Sequence, residues 1–191
     1  MLESLPALVT TIAAAGGLYM YRRGESQVKQ PPADMTQDQI KLQWRKLGFF
    51  CELDDQRKAL TLTGSRSGLL YFPDLLLGYV ADPQNASNGK RAHFGPYGSL
   101  EVMTSPVPGF DAQAIRGSLP ALTHLAELVE AKLASAEVGS RVKIRAEFAP
   151  QSAYSLVLDV RADGFDPATT DRERLGAATQ RKAEAKGAAS V

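Results

Sequence analysis

Two histidines, His93 and His124, and one cysteine, Cys51, are all the imidazole and thiol side chains the chain holds for nucleophilic and metal chemistry. His93 stands in a run that also carries Lys90, Arg91, Phe94 and Tyr97, the densest mixture of cations and aromatics in the sequence. A histidine base needs a carboxylate and a nucleophile beside it, and the sequence surroundings of His93, with Lys90 and Arg91 just before it, are basic. The run lies in residues 83–98, which read as one long irregular connection, and connections longer than about 12–15 residues inside a domain are often functional. Lys90, Arg91, His93, Phe94 and Tyr97 therefore read as a recognition loop for an acidic protein surface. A plain connector turning at Gly95-Pro96 is the competing reading.

The other candidates are weaker. His124 falls on the polar side of a helix pattern, and Cys51 lies in an apolar strand pattern as a buried filler. Glu52, Asp54 and Asp55 suit a solvated hairpin turn. An enzyme reading requires Glu52 and Asp54 to meet His93 only in three dimensions. GSRSG (64–68) lacks a Walker lysine, and DVRADGFDP (159–167) spaces its aspartates too widely for a calcium loop. No serine occupies a nucleophile elbow. The expectation is no catalytic residue, no metal and no cofactor.

Charge and size narrow the classes further. Lys plus Arg is 22 and Asp plus Glu 21, and a net charge of +1 argues against a nucleic-acid binder, which needs a basic face. A single cysteine excludes a disulfide framework. The 191 residues suffice for one ordinary domain with extras.

Residues 5–21 (LPALVTTIAAAGGLYMY) carry no charge, and Arg22 and Arg23 follow at once. Seventeen helical residues reach roughly 25 Å, and extension to Leu2 with snorkelling arginines approaches a hydrocarbon core of about 30 Å. Tyr19 and Tyr21 stand where an aromatic belt belongs. The reading is a single transmembrane helix within residues 1–23, contacting lipid through 2–21, with its amino end outside and its basic end in the cytoplasm. A cleaved signal peptide or a buried soluble helix are the alternatives. Ala13 and Gly17 form a weak small-xxx-small pair.

Residues 24–35 read as a polar tether with a Pro-Pro pair. Thr36 and Gln39 then make a capping box, Met35 and Ile40 a hydrophobic staple, and Ile40, Trp44 and Leu47 one apolar face stopped by Gly48. A hairpin follows (49–54 with 59–63), then a short, almost wholly apolar helix over 74–81 that must be buried or covered on all sides. Leu100 and Val102 read as a strand, SPVPG as a turn, 114–116 as a brief strand and 118–136 as the longest helix, capped by Ser118. Alternation over 141–148 and 154–160 predicts a closing hairpin, and the tail from 168 to 191 reads as solvated. The fold class is α+β: two layers, antiparallel strands packed by about three helices, over residues 36–167.

LGFFCELDD (47–55), GSRSGLL (64–70), FPDLLLGY (72–79), HFGPYGSLEVMTSP (93–106) and IRGSLPALTHLAELV (115–129) together resemble a widespread group of small bacterial α+β proteins. Several such groups resemble immunity proteins, which bind and neutralise a secreted toxin. Members often hold an acidic or histidine-rich approach to the GPY motif, whereas here it is Lys90-Arg91-Ala92-His93, which withholds the residues of any transferred metal or catalytic role. The resemblance implies a protein partner, a toxin among the options. Joined to the apolar segment, it gives the expected function: a protein-binding module at the bacterial inner membrane, facing the cytoplasm. An envelope assembly component is the alternative, and an enzyme a more distant one.

Overall fold

The computed structural model describes residues 35–112 and 114–171. The expected membrane anchor, most of the tether and nearly all of the 168–191 tail lie outside them. No helix among the described residues is long and apolar enough to cross a membrane.

The first helix, α1 (Gln37–Leu47), forms as its local signals dictate. Thr36 Oγ1 accepts from the Gln39 backbone at 3.3 Å, Gln39 Oε1 accepts from the Thr36 N–H at 2.7 Å, and Gly48 closes the helix at φ 81°. Ile40, Trp44 and Leu47 are its buried face, and Trp44 is wholly enclosed at 0% exposure. Strands β1 (Phe50–Asp54) and β2 (Ala59–Ser65) form the first hairpin, with the Asp54 carboxylate capping its turn at the Arg57 N–H. The one-turn helix α2 (Arg66–Leu69), capped by Ser65, leads into α3 (Tyr71–Ala81). Gly68 is obligatory here, since a Cβ would stand 2.1 Å from the Gly48 carbonyl.

Helix α3 begins three residues before the expected start and is buried on one side only. Phe72, Leu76 and Tyr79 enter the core, while Tyr71 and Leu77 face solvent. Its predominantly apolar composition had implied cover on every face; packing against α4 (Leu119–Ala134) provides it on one.

The expectation of antiparallel sheets is corrected. Sheet 1 runs β1-β2-β8-β7, where β7 is Arg141–Ile144 and β8 Ser155–Arg161. Sheet 2 runs β3-β4-β6-β5, with β3 Arg91–Phe94, β4 Leu100–Thr104, β5 Gly109–Phe110 and β6 Ile115–Gly117. Each sheet is two antiparallel pairs joined through a parallel central one, β2 on β8 and β4 on β6. Turn residues reveal a hairpin, but they carry no information on which hairpin lies next to which. Both sheets and helices α1, α3 and α4 feed one hydrophobic core.

Three further boundaries moved. Residues 83–98 are ordered as a 3-10 turn (Pro83–Ala86), strand β3 and a second 3-10 turn (Pro96–Gly98), not one irregular loop. The strand expected over 141–148 stops at Ile144, where the Ala149 N–H turns back to the Arg145 carbonyl and Ala146 points outward. Past Pro167 the chain is not solvated at once: Ala168 and Asp171 are 3% and 2% exposed. Residues 165–171 form a strap lying on α1.

Candidate functional site

Strand β3 closes one edge of sheet 2, so among the described residues one side of its backbone has no neighbouring strand. Its alternation sends Ala92 and Phe94 toward the core and leaves Arg91 and His93 exposed. The antiparallel register sets His93 opposite Glu101 and Arg91 opposite Met103. Both side chains converge on Glu101: Arg91 donates through Nη1 to Oε1 at 3.2 Å, and His93 Nε2 lies 3.0 Å from Oε2. The Glu101 side chain is 6% exposed beneath partners that are about half exposed. A buried carboxylate thus fixes two side chains that otherwise face water, reducing the rotamer freedom they would lose on binding.

The GPYG turn places these strands. Gly95 and Gly98 adopt φ 73° and 57°, and Tyr97 between them is held at φ 62°, a left-handed conformation uncommon for a bulky residue. A Cβ on Gly98 would press the His93 ring at 3.3 Å, and one on Gly95 would strike Leu47 at 2.9 Å. Tyr97 is held by its hydroxyl, which donates to Asp171 Oδ2 at 3.0 Å. Trp44 Nε1 donates to the same oxygen at 2.7 Å. Asp171 Oδ1 is buried with no hydrogen-bond partner among the described residues. The strap is fastened a second time where Arg45 grips Asp166, with Nη2 to Oδ2 at 2.7 Å. Hydrogen bonds from Arg45 hold the Asp166 carboxyl below the usual carboxylate range and raise the guanidinium in return.

The five residues expected to form one exposed loop therefore divide. Lys90, Arg91 and His93 are exposed, with the Lys90 carbonyl pinned by the Tyr79 hydroxyl at 2.8 Å. Phe94 is half-buried against the core and Tyr97 is buried, so neither offers a free aromatic face. No family model, no curated protein and no solved structure matches the chain.

Glu101 is the residue that sequence reasoning missed. Alternation in LEVMT marks Leu100 and Val102 as inward and Glu101 as outward, and counting back through the GPYG turn pairs Glu101 with His93. The signal was present once 91–94 was read as a strand. Among the described residues His93 has no hydrogen-bond partner besides Glu101, and no group of three His, Cys, Asp or Glu could hold a metal. Glu52 and Asp54 lie on β1 in the other sheet. His124 is exposed on α4, 3.9 Å from Glu127. What the Arg91–His93–Glu101 cluster offers is a fixed array of donors beside an open strand edge.

Proposed function

We propose that this chain is a protein-binding module that captures an extended acidic segment of a partner along β3, and that residues 2–21 hold it at the inner face of a bacterial membrane. The observation carrying the reading is the juxtaposition of an unpaired strand edge with Arg91 and His93, both immobilised on buried Glu101. An added strand gains main-chain hydrogen bonds from the edge, and acidic side chains at alternate positions meet Arg91 and His93. Lys90 extends the cationic row. The same charges oppose edge-to-edge pairing with a second copy. A toxin, the partner implied by the resemblance to immunity proteins, is one protein able to present such a segment. A tether over 24–35, even if fully extended, could span at most about 43 Å, which would keep the domain close to the bilayer.

Fluorescence anisotropy of the full chain in nanodiscs, with a labelled peptide alternating Glu and Val, tests the binding. The acidic peptide should bind, a Lys/Val peptide should not, and Lys90→Glu with Arg91→Glu should abolish capture. Equal binding of both peptides overturns the reading. Protease added to spheroplasts should spare the domain if it faces the cytoplasm, and shaving of intact spheroplasts refutes that orientation.

A further inference from the structure

The outer face of sheet 1 presents a second feature, separate from β3 and independent of the function proposed for it. While Leu60, Leu62, Leu156 and Leu158 face the core, the opposite face forms a trough of about 280 Å³. Phe50 and, from the strap, Phe165 line it as apolar elements; threonines of β2 line it as well.

Its charges cancel: Glu52, Asp54 and Asp159 against Arg57, Arg141 and Arg161. Two pairs are closed internally, Arg57 with Asp54 at 3.5 Å and Arg161 with Asp159 at 2.9 Å. Glu52 and Arg141 remain without an ion-pair or hydrogen-bond partner among the described residues. They stand on β1 and β7, the two outermost strands, and the register sets Arg141 two residues along from the position across from Glu52, so three strand spacings and that offset, roughly 16 Å, separate their backbones. Between them lies Thr61, opposite Glu52 in the register, 8% exposed and with no hydrogen-bond partner for its hydroxyl among the described residues. Its hydroxyl is open to solvent in the trough, free to donate to or accept from a group laid across it.

We propose that this trough binds a short peptide with free termini, its ammonium at Glu52, its carboxylate at Arg141 and its backbone over the Thr61 hydroxyl. A neutral lining does not favour a polyanion, whereas a ligand charged oppositely at its two ends matches the two open groups. An extended tripeptide spans about 10 Å, and the Glu52 and Arg141 side chains bridge the remainder. Phe50 and Phe165 give small apolar side chains a surface, and the strap that carries Phe165 is bonded through Asp166 and Asp171 to α1 and the GPYG turn.

Calorimetric titration of the full chain in nanodiscs with trialanine, N-acetyl-trialanine and trialanine amide tests this. Trialanine should bind, and blocking either end should weaken it by at least about tenfold, as loss of a charged hydrogen bond does. Arg141→Gln should erase discrimination against the amide alone, and Glu52→Gln discrimination against the acetylated peptide alone. Far-UV circular dichroism establishes that each variant is folded. Absence of binding at millimolar trialanine, equal binding of the blocked peptides, or unchanged binding in both variants overturns the proposal.

Discussion

The Trp44 indole and the Asp171 carboxylate, 127 residues apart in the chain, meet in a 2.7 Å hydrogen bond with no solvent between them. Tyr97 donates to the same carboxylate oxygen, so one buried carboxyl group joins α1, the GPYG turn and the strap. A buried charge that loses its donors costs more than the bonds themselves. Trp44→Phe and Tyr97→Phe should each destabilise the domain by about 1–3 kcal/mol. The double variant should exceed their sum. Urea titration followed by far-UV circular dichroism measures this, and strict additivity would contradict a shared carboxylate.

Exposure at the β3 edge predicts a sharp contrast among residues close in sequence. Lys90→Ala should change stability by no more than about 0.5 kcal/mol, as at most surface positions. Phe94→Ala, which removes a ring packed on the core, should cost about 2–3 kcal/mol. Arg91→Ala and His93→Ala should be mild singly and worse than additive together, because only the pair leaves Glu101 without both donors. Thermal unfolding of the four single variants and the Arg91/His93 double variant separates these cases.

Two glycines should respond in opposite directions. Gly68→Ala forces its methyl onto the Gly48 carbonyl at 2.1 Å and should prevent normal docking of α2, lowering the yield of folded protein. Gly78 sits in α3 with nothing within 4 Å of the position a methyl would take. Gly78→Ala should therefore stabilise the domain by about 0.5–1 kcal/mol through helix propensity. A fall in melting temperature for Gly78→Ala would show that this face of α3 is covered.

Acid should weaken the fold through three carboxylates. Asp166 is held low by hydrogen bonds from Arg45, Asp55 by those from Lys58 and Tyr154, and Glu147 by the Lys132 ammonium at 2.5 Å. Because their folded values lie below the unfolded ones, their stabilisation is complete above the ordinary carboxylate range near about pH 4. It is lost as pH falls through the depressed values. Asp166→Asn, Asp55→Asn and Glu147→Gln combined should flatten the acid limb of stability against pH. An unchanged limb would assign acid sensitivity to other groups.

How far the sequence disclosed this molecule depends on the distance over which each feature is determined. Helix α1 was legible to the residue at its start because Thr36 and Gln39 act on each other three positions apart. The first hairpin and the Ser118 cap were local in the same way. The β2–β8 pairing was not, since Leu62 and Leu158 are neighbours only across about half of the chain. Alternation through Arg145–Phe148 imitated a strand because one apolar residue on every second position looks alike until the backbone turns. Asp171 was assigned to a solvated tail on composition, which is blind to a tryptophan 127 positions earlier. Arg91 and His93 were singled out from the sequence as one cluster, but the Glu101 carboxylate that both contact was not.

The fastening of residues 165–171 onto α1 also has a mechanical consequence. Both ends of the domain are secured at a single junction, Arg45 to Asp166 and Trp44 to Asp171, so tension drawn on residue 35 passes along α1 into the same bonds that restrain residue 171. A load on either terminus should peel both together before either sheet shears, leaving the two hairpin pairs of each sheet as the last parts to yield.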